Sequence, residues 1–253
     1  MPLVAAAVCP HPPLLVPELA AAAAGELDDL RTACVEAVGR MLTAGPDVVV
    51  LVGAGERSDH YGPGDFGSLR PYGLDREVRL APGEARTGRP GLPLSLLVGA
   101  WLLNRAGATG PHRGRVVAAD ATVEQCRRIG AELVANPTER VALLVSGDGS
   151  ACRGERSPGY DDPRARPYDD RTAAALRDAD CSALLGLEPE LATRLLVAGR
   201  APWQVLAAAG SGSPWHGDLT YYAAPYGVSY FVANWLPSAP TPPPSAGPDG
   251  ASA

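Results

Sequence analysis

The chain has 253 residues, 46% of them hydrophobic, which is enough apolar material for a buried core in one large α/β domain or two small ones. Its net charge is −6, and its basic residues are all arginines scattered among acids, a balance that argues against a nucleic-acid surface. No stretch approaches the roughly 18 apolar residues of a membrane span and no basic residue precedes the first apolar run, so a cytoplasmic protein without a membrane partner is expected.

Residues 3–9 and 47–53 are short apolar runs bounded by proline and glycine, the pattern of strands buried on both faces. Between them, residues 18–42 are alanine-rich with a helical period. Further strands are predicted at 77–80, 115–119 and 140–146, with helices at 92–106 and 122–135 between them. A loop rich in Gly, Pro, Asp and Arg follows Ser146. Helices over 168–178, 189–198 and 201–209 come next, and strands at 219–223 and 228–235 close the pattern. This alternation predicts a single layered α/β/α domain over residues 1–236 with a central, mostly buried sheet. Residues 237–253, rich in Pro, Ser and Gly, have nothing to bury and are expected to be a disordered tail. The five cysteines are odd in number, widely spread and free of C-x-x-C spacing, so they suggest neither a disulfide framework nor a zinc knuckle.

In a sheet wrapped by helices, ligands bind beyond the carboxyl ends of the strands, which directs attention to four segments. The first is Cys9-Pro-His-Pro-Pro13, where prolines at 10, 12 and 13 hold His11 on stiff extended backbone, as a metal ligand requires. A histidine that merely satisfies a backbone group is the plainer reading. The second runs from Gly53 to His60 and carries Glu56 and Asp59. In the third, Ser146-Gly-Asp-Gly-Ser-Ala151, glycines on either side of Asp148 imply a tight turn that brings a carboxylate and backbone amides to a strand end. It is not a P-loop, because the lysine and the following helix are absent. The fourth, residues 221–228, belongs to a C-terminal group of aromatics suited to a flat ligand or to the core. The arginine- and aspartate-rich loop 153–166 suits either an anionic ligand or internal ion pairs.

Together these segments resemble the class III extradiol ring-cleavage dioxygenase superfamily, which includes the catalytic subunit of protocatechuate 4,5-dioxygenase and the Memo-like proteins. The resemblance spans residues 3–235. It is carried by Ser146-Gly-Asp-Gly-Ser-Ala-Cys-Arg153, Pro158-Gly-Tyr-Asp-Asp-Pro163, Tyr168-Asp169 and Tyr222-Ala-Ala-Pro-Tyr-Gly-Val-Ser-Tyr230. It implies a site in which two histidines and a glutamate hold Fe(II) on one face while a further histidine moves protons. His11 matches the first histidine ligand. The second ligand falls on Gly55, the catalytic histidine on Ala151 and the carboxylate ligand on Ala223.

Glycine and alanine neither coordinate a metal nor move a proton. The resemblance therefore implies a dioxygenase-like fold with a degenerate site, no cofactor, and a role in binding a small aromatic or anionic ligand or a protein partner. The alternative is an Fe(II)-dependent oxidoreductase acting on a small aromatic substrate, its metal site rebuilt around His11 with His60, Glu56 or Asp148. In either reading the pocket residues are His11, Glu56, His60, Asp148, Ser150 and Tyr222. Relatives that dimerise make a homo-oligomer a further expectation.

Overall fold

The computed structural model describes residues 2–81 and 87–238. The strands among the described residues are β1 (Leu3–Cys9), β2 (Val48–Gly55), β3 (Asp59–Tyr61), β4 (Phe66–Ser68), β5 (Glu77–Arg79), β6 (His112–Ala118), β7 (Val141–Ser146), β8 (Trp215–Ala223) and β9 (Tyr230–Pro237). The helices are α1 (Pro17–Ala20), α2 (Asp28–Leu42), α3 (Leu94–Arg105), α4 (Val123–Leu133), α5 (Ala165–Arg177), α6 (Cys181–Leu185), α7 (Pro189–Arg194) and α8 (Arg200–Gly210). Seven strands form one sheet in the order β3-β6-β2-β7-β1-β9-β8, while β4 and β5 pair separately. Strands β6, β2, β7 and β1 run parallel, and β3, β9 and β8 add antiparallel pairings at the flanks. The expected layered α/β/α domain with a central, mostly buried sheet is the architecture observed.

Alternation along the central strands supplies two cores. In β1, Ala6 and Val8 face a layer built with α4, α5 and α8, while Ala5, Ala7 and Cys9 face a layer built with α2 and α3. Strand β7 divides the same way, with Leu143 and Val145 on one side and Ala142 and Leu144 on the other. Parallel strands covered on both faces read as continuous apolar runs, which is why the sequence pattern located them.

Several boundaries differ from the sequence expectation, each for a tertiary reason. The single helix expected over 18–42 is α1, a 3₁₀ segment at 21–27 and then α2, with Ala21 at φ +47° marking the break. The buried Arg31 guanidinium holds that break, donating to the carbonyls of Leu15 (2.9 Å) and Ala24 (2.5 Å). The helix expected over 189–198 stops at Arg194. Leu196 turns to φ +55°, and the Leu195 carbonyl instead accepts from the Ala151 amide and the Ser150 hydroxyl. Strands β3 and β4, three residues each, carry too little pattern to be read from sequence. Strand β8 begins four residues before the expected 219–223, at Trp215, and β9 is shifted two residues along from the expected 228–235, running from Tyr230 to Pro237. Residues 239–253, and with them most of the expected disordered tail, lie outside the described residues.

A buried polar side chain ties the layers together. Arg200, 1% exposed, opens α8 and donates to the carbonyls of Ala119 and Ala121 and to the Gln204 amide oxygen, so α8 is pinned to the turn after β6. His112 begins β6 fully buried, with neither ring nitrogen partnered among the described residues. Burial pushes its imidazole below the ordinary range.

Replacing Arg200 with Leu orphans the buried Ala121 carbonyl and frees the part-buried Ala119 carbonyl, and is expected to lower unfolding stability by about 2–5 kcal/mol, read by urea denaturation. For His112 the folded state prefers the neutral ring, so its contribution is complete above the unfolded value of about 6.5 and is lost as pH falls below that. The melting temperature should therefore drop on the acid side of about pH 6.5, with a shallower drop in His112→Leu.

Candidate functional site

Three adjacent strands meet at the best-defined polar cluster. Parallel pairing of β1 with β7 sets Cys9 opposite Ser146, and the same offset two residues further sets His11 opposite Asp148. The antiparallel register of β1 with β9 sets Val8 opposite Ala233, and continuing it three residues sets His11 level with Tyr230. Side chains two residues apart along a strand share a face. Cys9, Leu144 and Tyr230 all belong to the α2/α3 layer, so the registers bring His11, Asp148 and Tyr230 to that same face.

The contacts agree. The His11 amide donates to Asp148 Oδ1 at 2.8 Å, and His11 Nδ1 lies 3.6 Å from the same oxygen. The two side chains are only 11% and 16% exposed. His11 Nδ1 is buried without a hydrogen-bond partner, and no arginine pairs with Asp148 among the described residues. Tyr230 is 3% exposed, and its phenol makes no hydrogen bond among the described residues. Its phenol is pushed well above the ordinary range, chiefly by burial and then by the Asp148 carboxylate. Beneath the cluster, Cys9 Sγ points at the Cys34 carbonyl, and burial followed by Cys9 raises the Cys34 thiol. Both cysteines are buried and therefore shielded from reaction.

The turn that delivers Asp148 depends on its glycines. A Cβ on Gly147 would collide with the Gly199 backbone, and one on Gly149 would press on Phe231, Ser229 and Asp169. The Gly147 amide bonds the Cys9 carbonyl (3.0 Å), the Gly149 amide bonds Ser229 (2.7 Å), and the Gly199 amide bonds the Asp148 carbonyl (2.8 Å). The carboxylate is thus fixed by backbone on three sides.

The other expected pocket residues lie elsewhere. His60 is on the edge strand β3, exposed, in register with Arg115 of β6, Val52 of β2, Val145 of β7 and Val8 of β1. Four strand spacings of about 4.8 Å put it roughly 19 Å from β1 across the sheet. Its ring meets Arg115 instead, and Arg115 in turn pairs with Glu132 at 3.5 Å. Glu56 follows β2, two strands from β1, and is exposed. Ser150 is fully buried, its amide on Asp169 Oδ1 (2.9 Å) and its hydroxyl on the Leu195 carbonyl (3.1 Å).

Tyr222 belongs to a second polar network. Arg153 Nη1 donates to Asp169 Oδ2 (3.0 Å), Tyr222 Oη (3.0 Å) and Ser229 Oγ (2.9 Å), while Ser229 donates to Asp169 (2.6 Å) and Tyr222 to Asp170 (2.6 Å). Burial pushes the Tyr222 phenol up to about 12, with its bond to Asp170 adding to the shift. Burial also raises the fully enclosed Asp169 carboxyl, and the donors of Ser229, Ser150 and Arg153 oppose that only in part. Arg164 pairs with Asp162 at 2.6 Å, so the arginine-rich loop spends at least two of its guanidinium groups on internal carboxylates.

These residues do not fit an Fe(II) centre of three protein ligands. Gly55 and Ala223 offer no donor, and Gly55 faces Val116, whose side chain would obstruct a Cβ there. Ala151 is buried against the Leu195 carbonyl. Among the described residues no group of three or more His, Cys, Asp or Glu side chains is placed to hold a metal ion. Tyr230 was not among the expected pocket residues. The signal that places it there is strand register, which exists only after β9 pairs with β1.

No helix among the described residues is long and apolar enough to cross a membrane. No protein-family model matches the chain, and no curated protein matches it at a significant level. Among solved structures, the chain is similar to an uncharacterized protein of Escherichia coli K12, JW3007, at 14% identity and a TM-score of 0.55, over 92% of this chain and 99% of that one. At that identity the likeness establishes a shared fold across nearly the whole chain.

Proposed function

We propose that this chain has a class III extradiol dioxygenase-like fold that has lost Fe(II)-dependent ring cleavage, and that it acts as a small-molecule-binding or interaction protein. The observation that carries this reading is the dispersal of the metal donors. His11 is joined by Asp148, while His60 sits on a strand four places away and Glu56 just past the end of one two places away. One imidazole and one carboxylate leave a divalent ion mostly to water, and such a site holds iron weakly. The stiff proline turn and the glycine-dependent Asp148 turn fit a preorganised polar site at the strand ends, where layered α/β folds bind their ligands.

The retained His11–Asp148 pair favours one second reading, a metal-dependent oxidoreductase of a small aromatic substrate with a rebuilt site. Metal content separates the two. After anaerobic incubation with Fe(II) and desalting, mass spectrometry is expected to find background iron in the wild type and in His11→Ala alike. Near-stoichiometric iron that disappears in His11→Ala, accompanied by oxygen uptake with catechols, would overturn the binding-protein reading.

A further inference from the structure

We infer that the polar cluster of His11, Asp148 and Tyr230 recognises an organic ammonium ion, a primary amine carried on an aromatic body, rather than an anion. This inference rests on the metal-free reading above. Its starting point is a charge imbalance. Asp148 is a carboxylate with 16% exposure and no arginine partner among the described residues, in a chain that commits arginine to most of its other enclosed carboxylates. Asp169, the other acid of this region, is fully enclosed and has Arg153 at 3.0 Å. A largely enclosed carboxylate with no guanidinium beside it gains from a ligand that supplies a cation.

The atoms around Asp148 specify which cation. His11 contributes a buried ring nitrogen that makes no hydrogen bond, and Tyr230 contributes a phenol oxygen with no partner among the described residues. Only one Asp148 oxygen is used, by the His11 amide, so the second carboxylate oxygen is also open. A carboxylate oxygen, a phenol oxygen and, in its Nε2–H tautomer, the imidazole Nδ1 are three acceptors on one face, and an ammonium group is three donors with no acceptor. The stiff backbone of Pro10, Pro12 and Pro13 fixes the spacing between them, which suits a compact head group better than a hydrated metal.

The wall is aromatic and the rim acidic. Tyr221 and Tyr226 pack in the same layer as Tyr230 and lie near enough to influence its phenol. Tyr226 donates to Glu26 at 2.8 Å, and Asp29 lies close enough to raise the Tyr221 phenol. The nearby guanidinium of Arg31 is consumed by Asp28 and by the carbonyls of Leu15 and Ala24. Aromatic faces backed by carboxylates attract organic cations through cation–π and Coulomb terms together, and they repel carboxylates. The local charge thus reverses the anionic ligand suggested by the arginine-rich loop.

Isothermal titration in EDTA with phenethylamine and with 3-phenylpropionate, which match in body and differ in the charge of the head, tests this. Saturable binding of the amine alone is expected, weakened about tenfold or more in Asp148→Asn through loss of the charged hydrogen bond. Should Asp148→Asn fail to fold, Tyr230→Phe keeps the ring, removes one acceptor and is expected to weaken binding several-fold. Failure of the amine to bind, equal binding by the variants, or preference for the carboxylate would each overturn the inference while leaving the metal-free reading in place. Amine binding that requires prior loading with Fe(II) would instead overturn the metal-free reading.

Discussion

Everything at the candidate site depends on β1 pairing in parallel with β7 on one side and antiparallel with β9 on the other. A parallel neighbour contributes its carboxyl end to the same sheet edge, and an antiparallel neighbour contributes its amino end. Asp148, just past the end of β7, and Tyr230, the first residue of β9, are thereby brought to either side of His11. Neither residue would reach the histidine under the opposite pairing. The strand that makes this possible is alanine-rich, so its neighbours and the helices on both faces can pack closely over it.

The second constraint is the loop that leaves β7. It would be free to wander were it not tied by Asp169, which accepts from the Ser150 amide, Arg153 and Ser229, and by the glycine contacts that press it against Gly199 and Phe231. This network is closed and nearly free of solvent, so its function is to hold geometry. The His11–Asp148–Tyr230 group differs in kind, because its acceptors are left open. Fully satisfied polar networks rigidify a core, whereas open acceptors at strand ends leave bonds for a ligand's donors to make.

The layered domain was legible because the buried strands are continuous apolar runs and the helices between them are amphipathic or alanine-rich. His11 and Asp148 were legible too, since proline and glycine mark places where backbone must be stiff or must turn sharply. What escaped was anything set by partners distant in sequence. The break at Ala21 exists because Arg31 reaches back to Leu15 and Ala24. The early end of α7 exists because Ser150 and Ala151 claim the Leu195 carbonyl. His60 looked close to the site because few residues separate it from β2, yet β3 folds back onto β6 and carries it to the far edge.

Sequence by itself therefore determined the α/β class, the order of the main elements and the lack of donor side chains at positions 55, 151 and 223, since these follow from local composition and residue identity. The tertiary structure alone decided which polar groups meet. Sheet order and strand register are set by packing across the whole domain, and they put Tyr230 beside His11 and His60 about 19 Å away. A polar site is a property of neighbours in space, and no local signal encodes which strand will lie beside β1.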